Sequence, residues 1–272
     1  MKTDGRCRVR LFVFDLDGTA LGGFVPYARF PDAFSSFLDE LSACGAVWCT
    51  NTTWHPEAQA QMIAESAVKS RPAVLFGRTG LLRALPTADG GFALDASWTA
   101  RLAGIEALYG ESLARIEAAV GDLGAWAEVP GEPLMTLFKP RRASCDEDKA
   151  QFRKAVAAEA PVVQAVARAD GSFRVQPRQM DKGAALAAMQ ELLGVGADAT
   201  LVAGDASNDL PMFNPSLARY AVCPSNASPA VKDAVLAMGG AVGTVPYAAG
   251  VVAAIHSIFG PCAPSTKGDP AT

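Results

Sequence analysis

The chain has 272 residues, of which 50% are hydrophobic, and a formal net charge of −4. This length permits one large domain or two modest ones, with enough apolar material for a buried core. The small negative net charge argues against nucleic acid or an anionic membrane surface as the main partner. No apolar stretch is long enough to span a membrane, and no secretory signal pattern precedes the first strand, so we expect a cytoplasmic protein. The six cysteines contain no Cys-x-x-Cys pair, which favours reduced thiols over a disulfide framework.

The first predicted strand ends in two carboxylates. Residues 11–14 are apolar and rich in Val and Phe, and Asp15-Leu16-Asp17-Gly18-Thr19 follows directly. Side chains two apart on a strand share a face, and the carboxyl ends of strands are where α/β proteins bind ligands. One carboxylate could attack phosphorus while the other moves protons, and a divalent cation would relieve their repulsion. The alternative is an Asp-Gly turn with acidic decoration.

The elements that follow alternate between helix and strand. Apolar spacing predicts a helix over 31–44, a strand ending at Thr50, a helix over 55–68 and a strand over 72–76. This alternation predicts a parallel sheet with helices on both faces.

The pattern changes over 84–177. There we predict a helical stretch over 97–120, whose continuity two glycines leave open, then a strand over 134–138 and a helix over 146–159. A β-hairpin follows, with strands over 162–169 and 172–176 and a type I′ turn at Asp170-Gly171. Helices plus hairpins predict an α+β unit inserted into the sheet domain.

The βα alternation resumes at Lys182 with a helix to Leu193. Strands ending at Ala203 and Cys223 and helices over 228–238 and 247–259 follow, and 261–272 is expected to be a loose tail. The strand that ends at Ala203 leads into Gly204-Asp205 and then Asn208-Asp209. Two acidic clusters at strand ends can together form an oxygen-ligand metal site.

Four motifs in order resemble those of the haloacid dehalogenase (HAD) superfamily of phosphohydrolases. They are the Asp15–Thr19 run, Thr50 at the end of the second strand, Lys182 opening a helix, and the segment from Gly204 to Asp209. The resemblance implies a Rossmann-like core over 1–83 and 178–260. It also implies a C2-type cap over 84–177, in the Cof-like and sucrose-phosphatase-like branch.

The resemblance also implies the residue roles. Asp15 would be the nucleophile, and Asp17 the acid and base, a residue that dehalogenating members lack. Catalytic residues would further include Thr50 and Lys182. Substrate contacts would come from Thr50, Asn51, Lys182 and Asn208, and Mg²⁺ would be held by Asp15, Asp17, Asp205 and Asp209.

The second motif departs from the Thr-Gly-Arg of related sugar phosphatases, because Thr50-Asn51-Thr52 stands there. His55 or a cap residue could replace the missing arginine. The candidate cap cations are Lys139, Arg141, Arg142, Arg174 and Arg178.

The expected function is a Mg²⁺-dependent phosphatase of a small phosphorylated metabolite, with a sugar phosphate as the first choice, acting as a monomer or homodimer. A phosphomutase of the phosphomannomutase type and a non-enzymatic binding or regulatory module are the alternatives.

Overall fold

The structure is a computed structural model that describes residues 9–22, 29–121, 126–132, 134–140, 146–167 and 171–260. The chain divides into two compact units. The first holds the described residues up to Leu94 and from Lys182 onward, and the second is Asp95–Asp181. No helix among the described residues has the length and apolar character needed to cross a membrane.

The first unit contains an eight-stranded sheet and five α-helices. Its strands are β1 Leu11–Phe14, β2 Val47–Asn51, β3 Leu75–Gly77, β4 Leu82–Pro86, β5 Phe92–Leu94, β10 Thr200–Ala203, β11 Tyr220–Cys223 and β12 Ala241–Val242. Its helices are α1 Asp32–Ala43, α2 Pro56–Ala64, α5 Lys182–Leu193, α6 Pro229–Ala237 and α7 Tyr247–Phe259.

The strand order is β12-β11-β10-β1-β2-β3-β4-β5. All pairs from β12 to β3 are parallel, while β4 and β5 add to the edge in antiparallel fashion. All four residues of the central strand β1 are buried, as expected where helices cover both faces of a sheet. The predicted α/β fold with a mostly parallel sheet is confirmed.

The predicted border of the insert at residue 84 differs from the border of the units. The strands β4 and β5 hydrogen-bond to the edge of the large sheet, so residues up to Leu94 belong to the first unit. Beyond the far border, residues 178–181 belong to the second unit, which ends at Asp181. The alternation of β4 is weak, because Leu82-Arg83-Ala84-Leu85-Pro86 mixes apolar and charged positions and ends in proline.

The second unit is an antiparallel sheet with two helices. Its elements are α3 Ala96–Val120, β6 Trp126–Glu132, β7 Met135–Pro140, α4 Asp146–Ala158, β8 Val163–Ala167 and β9 Phe173–Pro177, and the strand order is β6-β7-β9-β8. The α3 helix is continuous through Gly104 and Gly110. A Cβ added at either position would have nothing within 4 Å, so no close contact requires a glycine there.

Some sequence predictions fall wholly or partly outside the described residues. The β8–β9 hairpin pairing is present, but Asp170 of the predicted turn lies outside. Arg141 and Arg142 and the tail over 261–272 lie outside as well.

Candidate active site

Two neighbouring parallel strands bring the acidic clusters together. β1 and β10 pair in register, with Phe14 opposite Ala203, and the Asp15 N–H donates to the Ala203 carbonyl at 3.0 Å. Asp15 and the Gly204-Asp205 pair therefore leave the sheet at the same edge. Carboxylate oxygens of Asp15, Asp205 and Asp209 all lie within 4.8 Å of one another.

Lys182 is a completely buried cation at this edge, with 0% of its surface exposed. Its Nζ lies 2.5 Å from Asp15 Oδ1 and 2.5 Å from Asp209 Oδ1. Asp15 is 167 positions from Lys182 in the sequence and Asp209 is 27 positions from it, so two carboxylates that are distant in sequence bind one ammonium group. A buried charge is retained only when it is paired, so these contacts fix the first residue of α5 against the end of β1.

Asp209 organises the loop after β10. Its Oδ1 accepts from Lys182, while Oδ2 accepts the backbone N–H groups of Asp205 and Ala206, each at 2.9 Å. Both oxygens are therefore engaged by the protein. Asn208 lies beside it, on a short 3₁₀ helix over Ser207–Met212 that the sequence reasoning did not predict.

The turn after Asp17 fits tightly around Asp205. Gly18 has φ +79°, and a Cβ atom there would lie 2.2 Å from Asp205 Oδ2. Next to it, buried Thr19 donates from Oγ1 to Asp205 Oδ1 at 2.9 Å. Thr19 belongs to the first motif but was not among the predicted site residues. The first motif could have indicated this residue, because Thr19 directly follows the Gly18 turn and that turn packs against the Asp205 carboxylate.

Asp17 receives a hydrogen bond from a residue that the sequence reasoning also missed. The indole Nε1 of Trp54 donates to Asp17 Oδ2 at 2.8 Å. Trp54 lies between β2 and α2, so the contact joins the loops that follow two adjacent strands. No local sequence pattern predicts this contact, because Asp17 and Trp54 are 37 positions apart.

The structure places the second motif beside this centre. Thr50 is opposite Phe14 in the β1–β2 register, and its Oγ1 donates to Gln59 Oε1 at 2.5 Å. Asn51 follows as the last residue of β2 and is buried. The Asn51 Nδ2 donates to the Lys182 carbonyl at 2.8 Å, and its buried Oδ1 has no partner in the described part of the chain.

His55, predicted as one replacement for the missing arginine, begins a helix. Its Nδ1 accepts the backbone N–H of Glu57 at 3.3 Å and so caps α2. His55 is therefore the N-cap residue of α2, and its Nδ1 is not available to bind a substrate.

The electrostatics of the centre favour a bound cation. Burial raises the pKa of Asp15 to about 8, against the attraction of Lys182 and with added repulsion from Asp209 and Asp205. Partial burial also raises the pKa of Asp205. Burial alone would lower the pKa of Lys182, but its two carboxylate partners outweigh this and raise it. The surplus of carboxylates over cations is what a hard divalent ion with oxygen ligands would neutralise.

Comparison with known proteins supports the resemblance. The sequence model of the haloacid dehalogenase-like hydrolases matches residues 131–242, which include Lys182, Asp205 and Asp209. A phosphoglycolate phosphatase from Thermoplasma volcanium is 38% identical over 63 residues, which is 23% of this chain. The alignment spans only 27% of that relative's length.

Solved structures extend the similarity to nearly the whole chain. The sucrose-phosphatase of Synechocystis sp., in complex with sucrose and phosphate, has a TM-score of 0.67 at 18% identity, covering 92% of this chain and 97% of its own. A haloacid dehalogenase-like hydrolase protein from Bacillus subtilis has a TM-score of 0.65 at 15% identity, covering 93% of each chain. A HAD phosphatase from Bacteroides thetaiotaomicron has a TM-score of 0.62 at 16% identity, covering 96% of this chain and 98% of its own. The chain therefore has the HAD fold, and the sequence match over residues 131–242 bears out the resemblance to the haloacid dehalogenase-like hydrolases.

Proposed function

We propose that this chain is a Mg²⁺-dependent phosphatase that hydrolyses a small phosphorylated metabolite through an aspartyl-phosphate intermediate. One observation carries the proposal: the buried Lys182 ammonium bridges Asp15 and Asp209 beside Asp205, at the ends of two parallel strands. A nucleophilic carboxylate, a fixed cation and an oxygen-rich metal position are what phosphoryl transfer requires, since its catalysis is mostly positioning and charge neutralisation.

The residues support a two-step reaction. A carboxylate oxygen of Asp15 attacks phosphorus as the bond to the leaving oxygen breaks, and Asp17 gives its proton to that oxygen. In the second step the Asp17 carboxylate takes a proton from water as the water attacks phosphorus. Inorganic phosphate then leaves, Asp15 is again a carboxylate, and Asp17 is again protonated.

Asp15 and Asp205 fit a magnesium site, together with the backbone carbonyl of Asp17 that the resemblance implies. Their oxygens are close together, and both carboxyl groups have raised pKa values that a cation would lower again. When bound, Mg²⁺ would neutralise charge on the transferring phosphoryl group. Asp209 supports this site by holding Lys182 and the loop of Asp205, since both its oxygens are engaged.

Lys182, Thr50, Asn51 and Asn208 are proposed to hold the phosphoryl oxygens and the adjoining substrate atoms. Lys182 carries the permanent charge suited to this role. Thr50 donates to Gln59, so any hydroxyl contact with phosphate would require that hydrogen bond to exchange.

The substrate class is proposed to be a sugar phosphate or a related phosphoester, selected by the second unit as a cap. Support comes from the similarity to the sucrose-phosphatase, whose structure contains sucrose and phosphate, and from the compactness of the second unit. Among the candidate cap cations, Arg178 is engaged within its own unit, because its Nε donates to the Ala160 carbonyl at 2.6 Å. Arg174 lies on β9 and stays a candidate.

The test is phosphate release from a panel of phosphorylated metabolites with Mg²⁺ and without any bisphosphate activator, which separates a phosphatase from a phosphomutase. We expect release from at least one member, loss of release with EDTA, and recovery with Mg²⁺. Asp15→Asn, checked for folding by circular dichroism, is expected to release none, because a carboxamide forms no acyl phosphate. Activity of this variant within tenfold of wild type would contradict the nucleophile assignment.

A further inference from the structure

The indole N–H of Trp54 is directed at one specific oxygen of Asp17. The Nε1–Oδ2 distance is 2.8 Å, and the Trp54 ring packs against the apolar core of the first unit. An indole nitrogen can only donate, so Oδ2 must accept. The unprotonated oxygen of a carboxyl group is the better acceptor, so this bond favours the proton of the Asp17 carboxyl group on Oδ1.

We propose that Trp54 is a positioning residue that fixes the protonated oxygen of the general acid Asp17. This inference rests on the proposed function and deepens it. Oδ1–H gives its proton to the leaving oxygen as the phosphorus–oxygen bond breaks. The same Oδ1 then takes a proton from the water that attacks the Asp15 acyl phosphate, which returns the acid to its starting form.

The backbone of Trp54 is held by a buried glutamine. Gln59 is 0% exposed, and its Nε2 donates to the Trp54 carbonyl at 3.0 Å and to the Phe76 carbonyl at 3.1 Å. The Arg78 N–H donates to the Trp54 carbonyl as well, at 3.3 Å. These bonds tie the loop that carries the indole to the end of β3, which lies two strands from β1.

Thr50 completes the arrangement, because its hydroxyl donates to Gln59 Oε1. Three side chains therefore connect the end of β2 to the acid: Thr50 orients Gln59, Gln59 fixes the Trp54 backbone, and Trp54 orients Asp17. A buried amide with all these partners is expensive to disturb, which makes the position of the indole well defined.

The experiment removes only the N–H. The 3-benzothienyl analogue of tryptophan, which replaces the ring N–H by sulfur, is incorporated at position 54, and Trp54→Phe is prepared alongside. Two substrates of similar shape are compared, phenyl phosphate and p-nitrophenyl phosphate, of which the second has a leaving group that departs with little help from an acid. Both changes remove the indole N–H. For each altered protein we expect kcat/KM to fall about tenfold for phenyl phosphate and less than about twofold for p-nitrophenyl phosphate.

A matched control replaces Trp48 in the same way. Its Nε1 donates to Ser70 Oγ at 3.0 Å rather than to a site residue, so the ratio of kcat/KM for the two substrates is expected to stay at its wild-type value. Equal losses for both substrates at position 54, or no loss for either, would overturn the inference and leave the phosphatase proposal in place. A wild-type protein that releases phosphate from neither substrate nor from the metabolite panel would overturn both.

Discussion

Replacing Gly18 by alanine should disable the site without unfolding the protein. An added Cβ would lie 2.2 Å, 2.6 Å and 2.8 Å from Oδ2, Cγ and Oδ1 of Asp205. Because non-bonded contacts of a Cβ below about 3 Å are not tolerated, the nearest oxygen must move by roughly 0.8 Å or the turn must open. A displacement of about 1 Å in a reacting centre can reduce the rate on the order of 100-fold.

The backbone cost of this change can be measured separately. Gly18 has φ +79°, where an L-residue costs about 1–2 kcal/mol. Gly45, between α1 and β2, has the same φ of +79°, but a Cβ added there would have nothing within 4 Å. Gly45→Ala therefore carries the same backbone strain with no contact to the site.

The assay compares urea unfolding and kcat/KM with p-nitrophenyl phosphate for the two variants. Both variants should lose about 1–2 kcal/mol of unfolding free energy from backbone strain. Gly18→Ala should lose more than Gly45→Ala, because its Cβ also clashes with Asp205. Only Gly18→Ala should lose about 100-fold in kcat/KM and bind Mg²⁺ more weakly. Equal activity of the two variants would refute the assignment of Asp205 to a site that depends on its position.

Three other predictions follow from the contacts. Thr50→Val should lower kcat/KM more for phenyl phosphate than for p-nitrophenyl phosphate, because it removes the hydroxyl that orients Gln59; a uniform rise in KM for both substrates would contradict this role and indicate direct phosphate binding. Because burial raises the pKa of Asp15 from 3.8 to about 8, the folded metal-free protein binds the extra proton in that interval. Its thermal stability should therefore fall as pH rises between those values, and Asp15→Asn should flatten the slope; an identical slope in scanning fluorimetry would contradict this. Tyr109→Phe, which removes a buried hydroxyl 3.0 Å from the Val175 carbonyl, should cost about 1–2 kcal/mol in the second unit. Activity on p-nitrophenyl phosphate should be retained, and a parallel loss of activity would count against separate roles for the units.

Elements with strong periodicity were predictable from the sequence. The helix over Lys182–Leu193 and the helix over Tyr247–Phe259 have the predicted bounds, because continuous apolar patterns end at glycine in both cases. By contrast, residues 84–94, which hold the end of β4 and all of β5, were assigned to the insert. Their place at the sheet edge depends on pairing with β3, and a short strand with mixed polarity contains no information about its partner.

The candidate site divides in the same way. The proximity of Asp15 and Asp205 was predictable because both residues follow buried strands, and parallel strands end at one edge of the sheet. The pairing of Lys182 with Asp209 required the fold, since α5 and the loop after β10 meet only in three dimensions. The contact of Trp54 with Asp17 was likewise invisible, because a tryptophan after a strand is more often a core residue than a hydrogen-bond donor to an acid.

The most direct test of the central claim is chemical trapping of the phosphorylated nucleophile. Asp17→Asn should still accept the phosphoryl group from p-nitrophenyl phosphate but should hydrolyse it slowly, because no base activates the water. Borohydride reduces an acyl phosphate to an alcohol, so quenched protein should contain homoserine at position 15 in peptide mass spectrometry. The account predicts this product at Asp15 and its absence when Mg²⁺ is chelated. Phosphate release by the wild-type protein with an unmodified Asp15, or with the modification at another residue, would contradict it.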